Sequence, residues 1–268
     1  MAKTVLRTPI CDLLGIEYPV VLAGMGPTAG GGRAVASPEL VAAVSNAGGL
    51  GVLGGAGASP DALRAAIRRV RELTDRPFGV DILLPSNVYR APSGNGGARP
   101  DPAAIKAQIP EEYRRAVREL KAEFNLPDVE APPPSGRGMG LGPDLAEAQV
   151  QVIFQERVPV LAVGLGNPAP YVPQARELGI KVIALVGNVK NARRVAEAGV
   201  DIVVAQGTEA GGHTGRVGTM ALVPQVVDAV RPVPVLAAGG IGDGRGLAAA
   251  LCLGAQGAWV GIAFIPTK

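Results

Sequence analysis

The sequence is poor in histidine, cysteine and aromatic residues, and each shortage excludes a kind of site. It has one histidine, two cysteines and 3% aromatic residues among 268 positions. Cys11 and Cys252 lie far apart and show no metal-binding spacing, so we expect no metal site. We predict that both are buried, reduced thiols in a cytoplasmic protein. With so few aromatic rings, the core has to be built from Val, Leu, Ile and Ala.

Strong charge and long apolar runs are also missing. The formal net charge is only +3, and no basic block with interleaved aromatic residues is present, which argues against a nucleic-acid partner. No apolar run reaches the roughly 18 residues of a membrane span, and the N-terminal residues lack the apolar core of a signal peptide. We therefore expect a globular protein whose partner is a small-molecule substrate.

What the chain does have is a series of short apolar runs, most of them followed by a helical pattern. The runs are apolar throughout, which is typical of parallel strands covered on both faces. The eight candidate strands are residues 19–24, 50–55, 78–84, 158–164, 181–187, 201–207, 233–240 and 258–264. Eight strands separated by helices predict an α/β fold, a TIM (β/α)8 barrel in a single domain, residues 1–268. A doubly wound open sheet remains the alternative.

Residues 85–143, between strands 3 and 4, form a long insertion that exceeds a simple crossover. The insertion contains a helical segment, PEEYRRAVRELKAEF (110–124). One face of this segment is apolar and the other is basic. The apolar face consists of Tyr113, Val117, Leu120 and Phe124. We interpret the insertion as either a solvated excursion or a lid over the active-site end of the barrel.

The chain ends directly after the eighth predicted strand. A regular barrel has one more helix there, so we expect the last helix to be missing and the C-terminus to be truncated. The apolar outer faces of strands 1 and 8 would then be bare, or covered by another chain in a homo-oligomer.

Glycine dominates the predicted carboxyl ends of the strands, where a TIM barrel binds its ligands. The segments AAGGIGDGRG (237–246) and WVGI (259–262) end two neighbouring strands. Two such ends, the first followed by a helix, predict a cradle of backbone N–H groups for a phosphate. The alternative is that these glycines only permit tight turns between strand and helix.

The single histidine, His213, lies in the glycine-rich segment GTEAGGHTGRVGT (207–219). A core histidine needs bulky apolar neighbours, whereas glycine permits a close backbone approach to a ligand. Because imidazole exchanges a proton near neutral pH, we predict that His213 is a catalytic base. The alternative is a loop histidine bound to a backbone carbonyl. We interpret Glu209 as a carboxylate that fixes this loop or caps a helix, and not as a catalytic acid.

Several segments together resemble the nitronate monooxygenase family, formerly called 2-nitropropane dioxygenases. The flavin-dependent enoyl-acyl-carrier-protein reductases are related to that family. The segments are VVLAGM (20–25), SPELVAAVSNAGGLGVLG (37–54), RPFGVDILLP (76–85), AQGTEAGGHTG (205–215) and PVLAAGGIGDGRGLAAALCLGAQGAWVG (234–261). The combination of EAGGH after strand 6 with GGIGDGRG after strand 7 is the most specific part. The resemblance covers residues 8–264 and is weakest over 85–157.

This resemblance implies a TIM barrel that binds FMN non-covalently, with the flavin ring over the strand ends. His213 matches the family's catalytic histidine, which acts as a base toward a substrate carbon or stabilises its anion. The implied cofactor-binding residues are Ala23, Gly24 and Met25 against the ring, Asp81 and Gln206 at its polar edge, Gly211 and Gly212 beside His213, and Gly239, Gly240, Gly261 and Ile262 around the phosphate.

The sequence departs from the family pattern at two of these positions, besides the missing helix. Asp81 stands where asparagine is usual, and an ionised carboxylate there would disfavour the anionic reduced ring unless a partner neutralised it. Ile262 stands where threonine is usual, which removes a hydroxyl donor to the phosphate.

The resemblance implies oxidation of alkyl nitronates or nitroalkanes with O2 to carbonyl compounds and nitrite. One alternative is an NAD(P)H-dependent flavin reductase acting on an enoyl thioester or a quinone, because such enzymes share the scaffold and the histidine motif. A non-enzymatic alternative is a truncated, flavin-free barrel or a binding protein. No metal is needed in any of these, since FMN carries the redox chemistry.

Overall fold

The computed structural model describes residues 6–26, 34–84, 109–126 and 143–266, and its centre is a ring of parallel strands. The strands are β1 (Val20–Leu22), β2 (Gly51–Gly54), β3 (Phe78–Leu83), β4 (Val160–Gly164), β5 (Lys181–Val186), β6 (Ile202–Gln206), β7 (Val235–Ala238) and β8 (Gly257–Val260). They pair in the order β1-β8-β7-β6-β5-β4-β3-β2, and a parallel bridge from Val21 to Leu50 joins the two ends of the sheet. The predicted TIM barrel is confirmed, and the doubly wound sheet is excluded.

Helices connect the strands around the outside of the barrel. In the described residues they are α1 (Pro9–Leu14), α2 (Pro38–Asn46), α3 (Pro60–Leu73), α4 (Glu111–Glu123), α5 (Pro143–Gln155), α6 (Val172–Glu177), α7 (Val189–Glu197), α8 (Thr219–Val230) and α9 (Gly244–Cys252). Ser37 and Ser59 cap α2 and α3 by accepting backbone N–H bonds, each before a proline in the first turn. Within the described residues, no helix combines the length and apolar character that crossing a membrane requires.

Strand residues alternate between two apolar cores. The larger core packs the outward strand faces, such as Val80 and Ile82 of β3, against the helices. The smaller core fills the barrel interior with residues such as Val52 and Trp259. Helix α1 contributes Ile10 to this interior core. A filled interior leaves the strand ends as the place where a ligand can bind.

The structure corrects two expectations about buried surface. Leu22 and Ala258, on the outward faces of β1 and β8, are 0% and 1% exposed, so the expectation that these faces are bare is wrong for them. The cysteine prediction is also half wrong. Cys11 is buried in the interior core, whereas Cys252 lies exposed on α9, and both are free thiols.

Strand β8 is shorter than its apolar run predicted. It ends at Val260, and a 3-10 turn covers Ile262–Phe264. Gly261 causes the break, because its backbone angles (φ −111°, ψ −78°) leave the extended region. The residues after Val260 are thereby part of the site end of the barrel and not of the sheet.

Residues 89–136 form a second compact unit, which we describe by itself. Its described residues, 109–126, contain α4, so the predicted helix is confirmed. The apolar face of α4 is 51–63% exposed at Tyr113, Val117, Leu120 and Phe124. Residues 85–108 and 127–142 lie outside the described residues. The choice between a solvated excursion and a lid therefore stays a prediction.

Candidate active site

The floor of the barrel mouth is built from small side chains. By strand alternation, the interior-facing residues at the carboxyl ends are Ala23, Gly54, Asp81, Gly164, Leu185, Gln206, Ala238 and Gly261. Five of these eight are glycine or alanine, and only Asp81 and Gln206 carry polar side chains. Such a floor leaves room for a flat ligand and offers it two polar contacts from side chains.

Asp81 is the only acidic group on this floor, and its environment is unfavourable for charge. Its residue as a whole is half-buried, but Oδ1 is fully buried and has no hydrogen-bond partner in the described part of the chain. Desolvation raises the pKa of Asp81 to about 8. The backbone of Gly24 packs directly against Asp81, since a Cβ at Gly24 would overlap the Cβ of Asp81. The end of β1 thus shields Asp81 from water.

The ends of β1 and β8 also meet at the mouth. A Cβ placed on Gly261 would lie 3.4 Å from Met25 Sδ and 3.5 Å from Ala23 Cβ. Ala23, Gly24 and Met25 are all half-buried. The structure therefore brings the residues predicted after strand 1 together with Asp81 and Gly261.

The loop that carries His213 is held at its base. Thr208 N–H donates to Val217 O over 3.0 Å and closes the loop. Glu209 accepts hydrogen bonds from the N–H and hydroxyl of Thr219, the first residue of α8. These bonds lower the pKa of Glu209, the hydroxyl of Thr219 contributing most. Glu209 is therefore a carboxylate that fixes the loop and caps a helix, as its sequence position indicated.

Farther along, the loop contacts the ends of two other strands. Gly215 packs against Gly187, after β5, so closely that a side chain on either would overlap backbone atoms of the other. Gly211 faces the end of β8, where a Cβ on it would lie 3.3 Å from Ile262 Cδ1. Gln206 reaches the loop only by a long contact, 3.5 Å from Nε2 to Gly211 O. Glycine is therefore needed for close approach, which explains its abundance in this segment.

His213 lies on the exposed part of this loop. Gly212 precedes it with φ +74°, a left-handed conformation that favours glycine. The imidazole makes no hydrogen bond to the described residues, so no carbonyl among them holds it; the choice between a catalytic base and a carbonyl-bound loop histidine stays a prediction. Within the described part of the chain, neither ring nitrogen has a hydrogen-bond partner.

The turn after β7 presents free backbone donors. Gly239 and Gly240 have φ +108° and +70°, and the N–H groups of Gly240, Ile241 and Gly242 donate to no group of the described residues. The N–H groups of Arg245 and Gly246, farther along, are already used, because Asp243 Oδ1 caps α9 by accepting from both. Successive N–H groups of this kind are suited to an anion, as the sequence predicted for this turn.

Ile262, after β8, contributes no polar side chain to the mouth. It is 64% exposed, and its Cδ1 points toward Gly211. Its substitution for threonine thus adds an apolar surface to the mouth instead of a hydroxyl donor.

Sequence reasoning missed two residues of this region. Thr219 is buried, and its hydroxyl oxygen lies 3.1 Å from Gly239 O as well as bonding to Glu209. Leu165, directly after β4, has φ +51°, an uncommon conformation for a branched side chain. Neither has a local signal, since one depends on a partner ten residues away and the other on the turn after a strand. The described residues contain no cluster of potential metal ligands.

The fold places this protein among TIM barrels that bind ligands at the carboxyl ends of their strands. More particularly, the chain belongs to the nitronate monooxygenase family, whose model matches residues 7–268. It is 42% identical to a Mycobacterium tuberculosis protein named as a monooxygenase, Rv1533, over 98% of this chain and 67% of the relative.

Two solved structures are also similar. FabK from Thermotoga maritima shares 37% identity with a TM-score of 0.69, covering 97% of this chain and 63% of FabK. Nitroalkane oxidase from Streptomyces ansochromogenes shares 34% identity with a TM-score of 0.69, covering 96% of this chain and 67% of the oxidase. The chain thus spans about two thirds of the length of its relatives. The predicted family, and with it an enzyme, is confirmed.

Proposed function

We propose that this chain binds FMN in the barrel mouth and oxidises alkyl nitronates, or the parent nitroalkanes, with O2 to carbonyl compounds and nitrite. The observation that carries the proposal is His213, which is exposed, makes no hydrogen bond to the described residues and lies on a loop held against the ends of β5 and β8. A base that takes a proton from a substrate carbon has to be free of internal hydrogen bonds and yet fixed in position.

The residues of the mouth fit FMN. The small floor residues leave space for a planar ring, and the orphaned Oδ1 of Asp81 needs a polar partner that a ring edge would supply. The free N–H groups of residues 240–242 suit a phosphate dianion. When bound, FMN supplies the electron-accepting ring on which the oxidation depends.

In this arrangement His213 is the group that accepts the substrate's proton. A neutral nitroalkane loses a proton from the carbon next to the nitro group, and the imidazole of His213 accepts it. A nitronate has already lost that proton, so His213 then acts by holding the anion. Ile262 and Leu165, both exposed near the mouth, provide apolar surface for the alkyl part of the substrate.

The test begins with the visible spectrum of the purified protein, because bound flavin absorbs blue light. Anaerobic addition of propyl nitronate should bleach this band, and admission of O2 should restore it with release of nitrite. NADH should leave the band unchanged. A protein that neither retains nor rebinds FMN would contradict the proposal and support a flavin-free barrel.

The second candidate is an NAD(P)H-dependent flavin reductase acting on an enoyl thioester or a quinone. The similarity to FabK at 37% identity favours it, because enoyl-acyl-carrier-protein reductases are related to this family. In that case NADH bleaches the flavin band and propyl nitronate does not. A homo-oligomer and a cytoplasmic location stay predictions.

A further inference from the structure

A buried carboxyl group at a ligand site needs a partner, and Asp81 has none for Oδ1 in the described part of the chain. It projects into the barrel mouth between Gly54 and Ala162, its register neighbours on β2 and β4. Gly24 covers it from the end of β1. Its position therefore combines shielding from water with access to whatever occupies the mouth.

No described charged group compensates Asp81. The strands beside it, β2 and β4, and the segment 23–26 contain no titratable residue. The helices packed against β3 are α2 and α5. Their acidic residues lie outside the barrel, where Glu39 pairs with Arg69, Glu147 accepts from Tyr171 and Asp144 is exposed. Desolvation is the only cause that raises the pKa of Asp81.

Building on the proposed function, we propose that Asp81 remains a neutral carboxylic acid in the working protein and donates its hydroxyl hydrogen to the flavin ring, so that FMN affinity falls when Asp81 ionises. The polar edge of a flavin carries carbonyl groups next to an N–H group. A side chain that binds this edge has to present one hydrogen-bond acceptor and one donor side by side. A neutral carboxyl group offers both, as an asparagine amide does, whereas a carboxylate only accepts.

Ionisation would therefore place a carboxylate oxygen against a carbonyl oxygen in a dry site, and such a contact is costly. A bound ring also removes the remaining water from Asp81, which favours the neutral form further. This accounts for aspartate at a position where the family resemblance leads one to expect asparagine.

The matched variant is Asp81→Asn, which keeps the shape, one donor and one acceptor but cannot ionise. The Kd for FMN is measured by flavin fluorescence with the flavin-free full chain, from about pH 7 to about pH 9.5, where the phosphate charge is constant. We expect the wild-type affinity to fall about tenfold for each pH unit above the pKa of Asp81. The affinity of Asp81→Asn should stay flat, and riboflavin should repeat both profiles because the effect concerns the ring.

A second measurement needs no flavin. Infrared spectra of the wild-type protein at neutral pH should contain a protonated carboxyl band that is absent from Asp81→Asn and disappears above about pH 8. Parallel affinity profiles for the two proteins, or the absence of this band, would overturn the assignment of Asp81 while leaving FMN binding in place. Failure of both proteins to bind FMN at every pH would instead overturn the cofactor proposal, and this inference with it.

Discussion

Glu209 and Thr219 are joined by three hydrogen bonds that hold the loop carrying His213 against helix α8. The N–H of Thr219 lies 3.1 and 2.8 Å from the two carboxylate oxygens of Glu209, and its hydroxyl lies 2.8 Å from one of them. The carboxylate satisfies donors at the N-terminus of the helix, where negative charge is favourable. The same contact closes the base of the loop whose exposed part carries His213. The same interaction therefore positions the loop and caps the helix.

Replacing Glu209 by glutamine should lower the free energy of unfolding by about 1 kcal/mol at neutral pH, the usual value of a helix cap. The folded state lowers the pKa of Glu209, so its contribution is present above the unfolded pKa and is lost as the pH falls through the folded one. Urea unfolding at neutral and acid pH measures both effects. Glu177→Gln, at an exposed carboxylate of α6, is the control, and equal losses in the two variants would contradict the role of Glu209.

His213→Asn should keep the fold and the FMN, because the proposed cofactor contacts lie elsewhere. Flavin reduction by a neutral nitroalkane should slow by about 10²- to 10⁴-fold, the usual value of general-base catalysis. Reduction by the preformed nitronate should slow much less. Anaerobic stopped-flow absorbance measures both rates. An equal, small loss for the two substrates would make His213 a positioning residue, and loss of FMN would make it structural.

Gly240 allows a test of the proposed phosphate site through charge alone. Its φ of +70° is tolerated by both asparagine and aspartate, so Gly240→Asn and Gly240→Asp share any strain and differ in one negative charge. FMN titration should show clearly weaker binding for Gly240→Asp than for Gly240→Asn. Riboflavin, which has no phosphate, should bind the two variants alike. Equal FMN affinities of the two variants would contradict the proposal that this turn binds the phosphate.

Asp81→Asn should also change how stability depends on pH in the flavin-free protein. The folded-state pKa of about 8 exceeds the ordinary value of 3.8. Between these values the folded chain keeps a proton that the unfolded chain releases, so the wild-type free energy of unfolding falls as the pH rises, by up to about 1.4 kcal/mol per unit. The variant lacks this loss. Its free energy of unfolding, compared with that of the wild-type protein at the same pH, should therefore be more favourable at about pH 8 than at about pH 5. Urea unfolding that gives the same difference at both pH values would contradict a buried Asp81.

Local pattern was enough to predict the barrel. The apolar runs of β4 and β6, for example, lie where the sequence placed them, because strands covered on both faces consist mostly of apolar residues. The end of β8 was missed, because Gly261–Phe264 is as apolar as a strand but leaves the extended conformation at a single glycine. Burial of Cys252 was also predicted wrongly, since the side of α9 that a residue occupies depends on what packs against the helix.

The residue types along the chain alone determined the barrel, the glycine-rich strand ends and the choice of His213, because these depend on composition and on spacing between near neighbours. Tertiary structure alone decided that Asp81 is shielded by Gly24 and that Glu209 reaches Thr219. It also decided that the N–H groups of Gly240, Ile241 and Gly242 donate to no group of the described residues. Desolvation and hydrogen-bond satisfaction depend on atoms brought from distant parts of the chain, and no local pattern encodes which atoms those are.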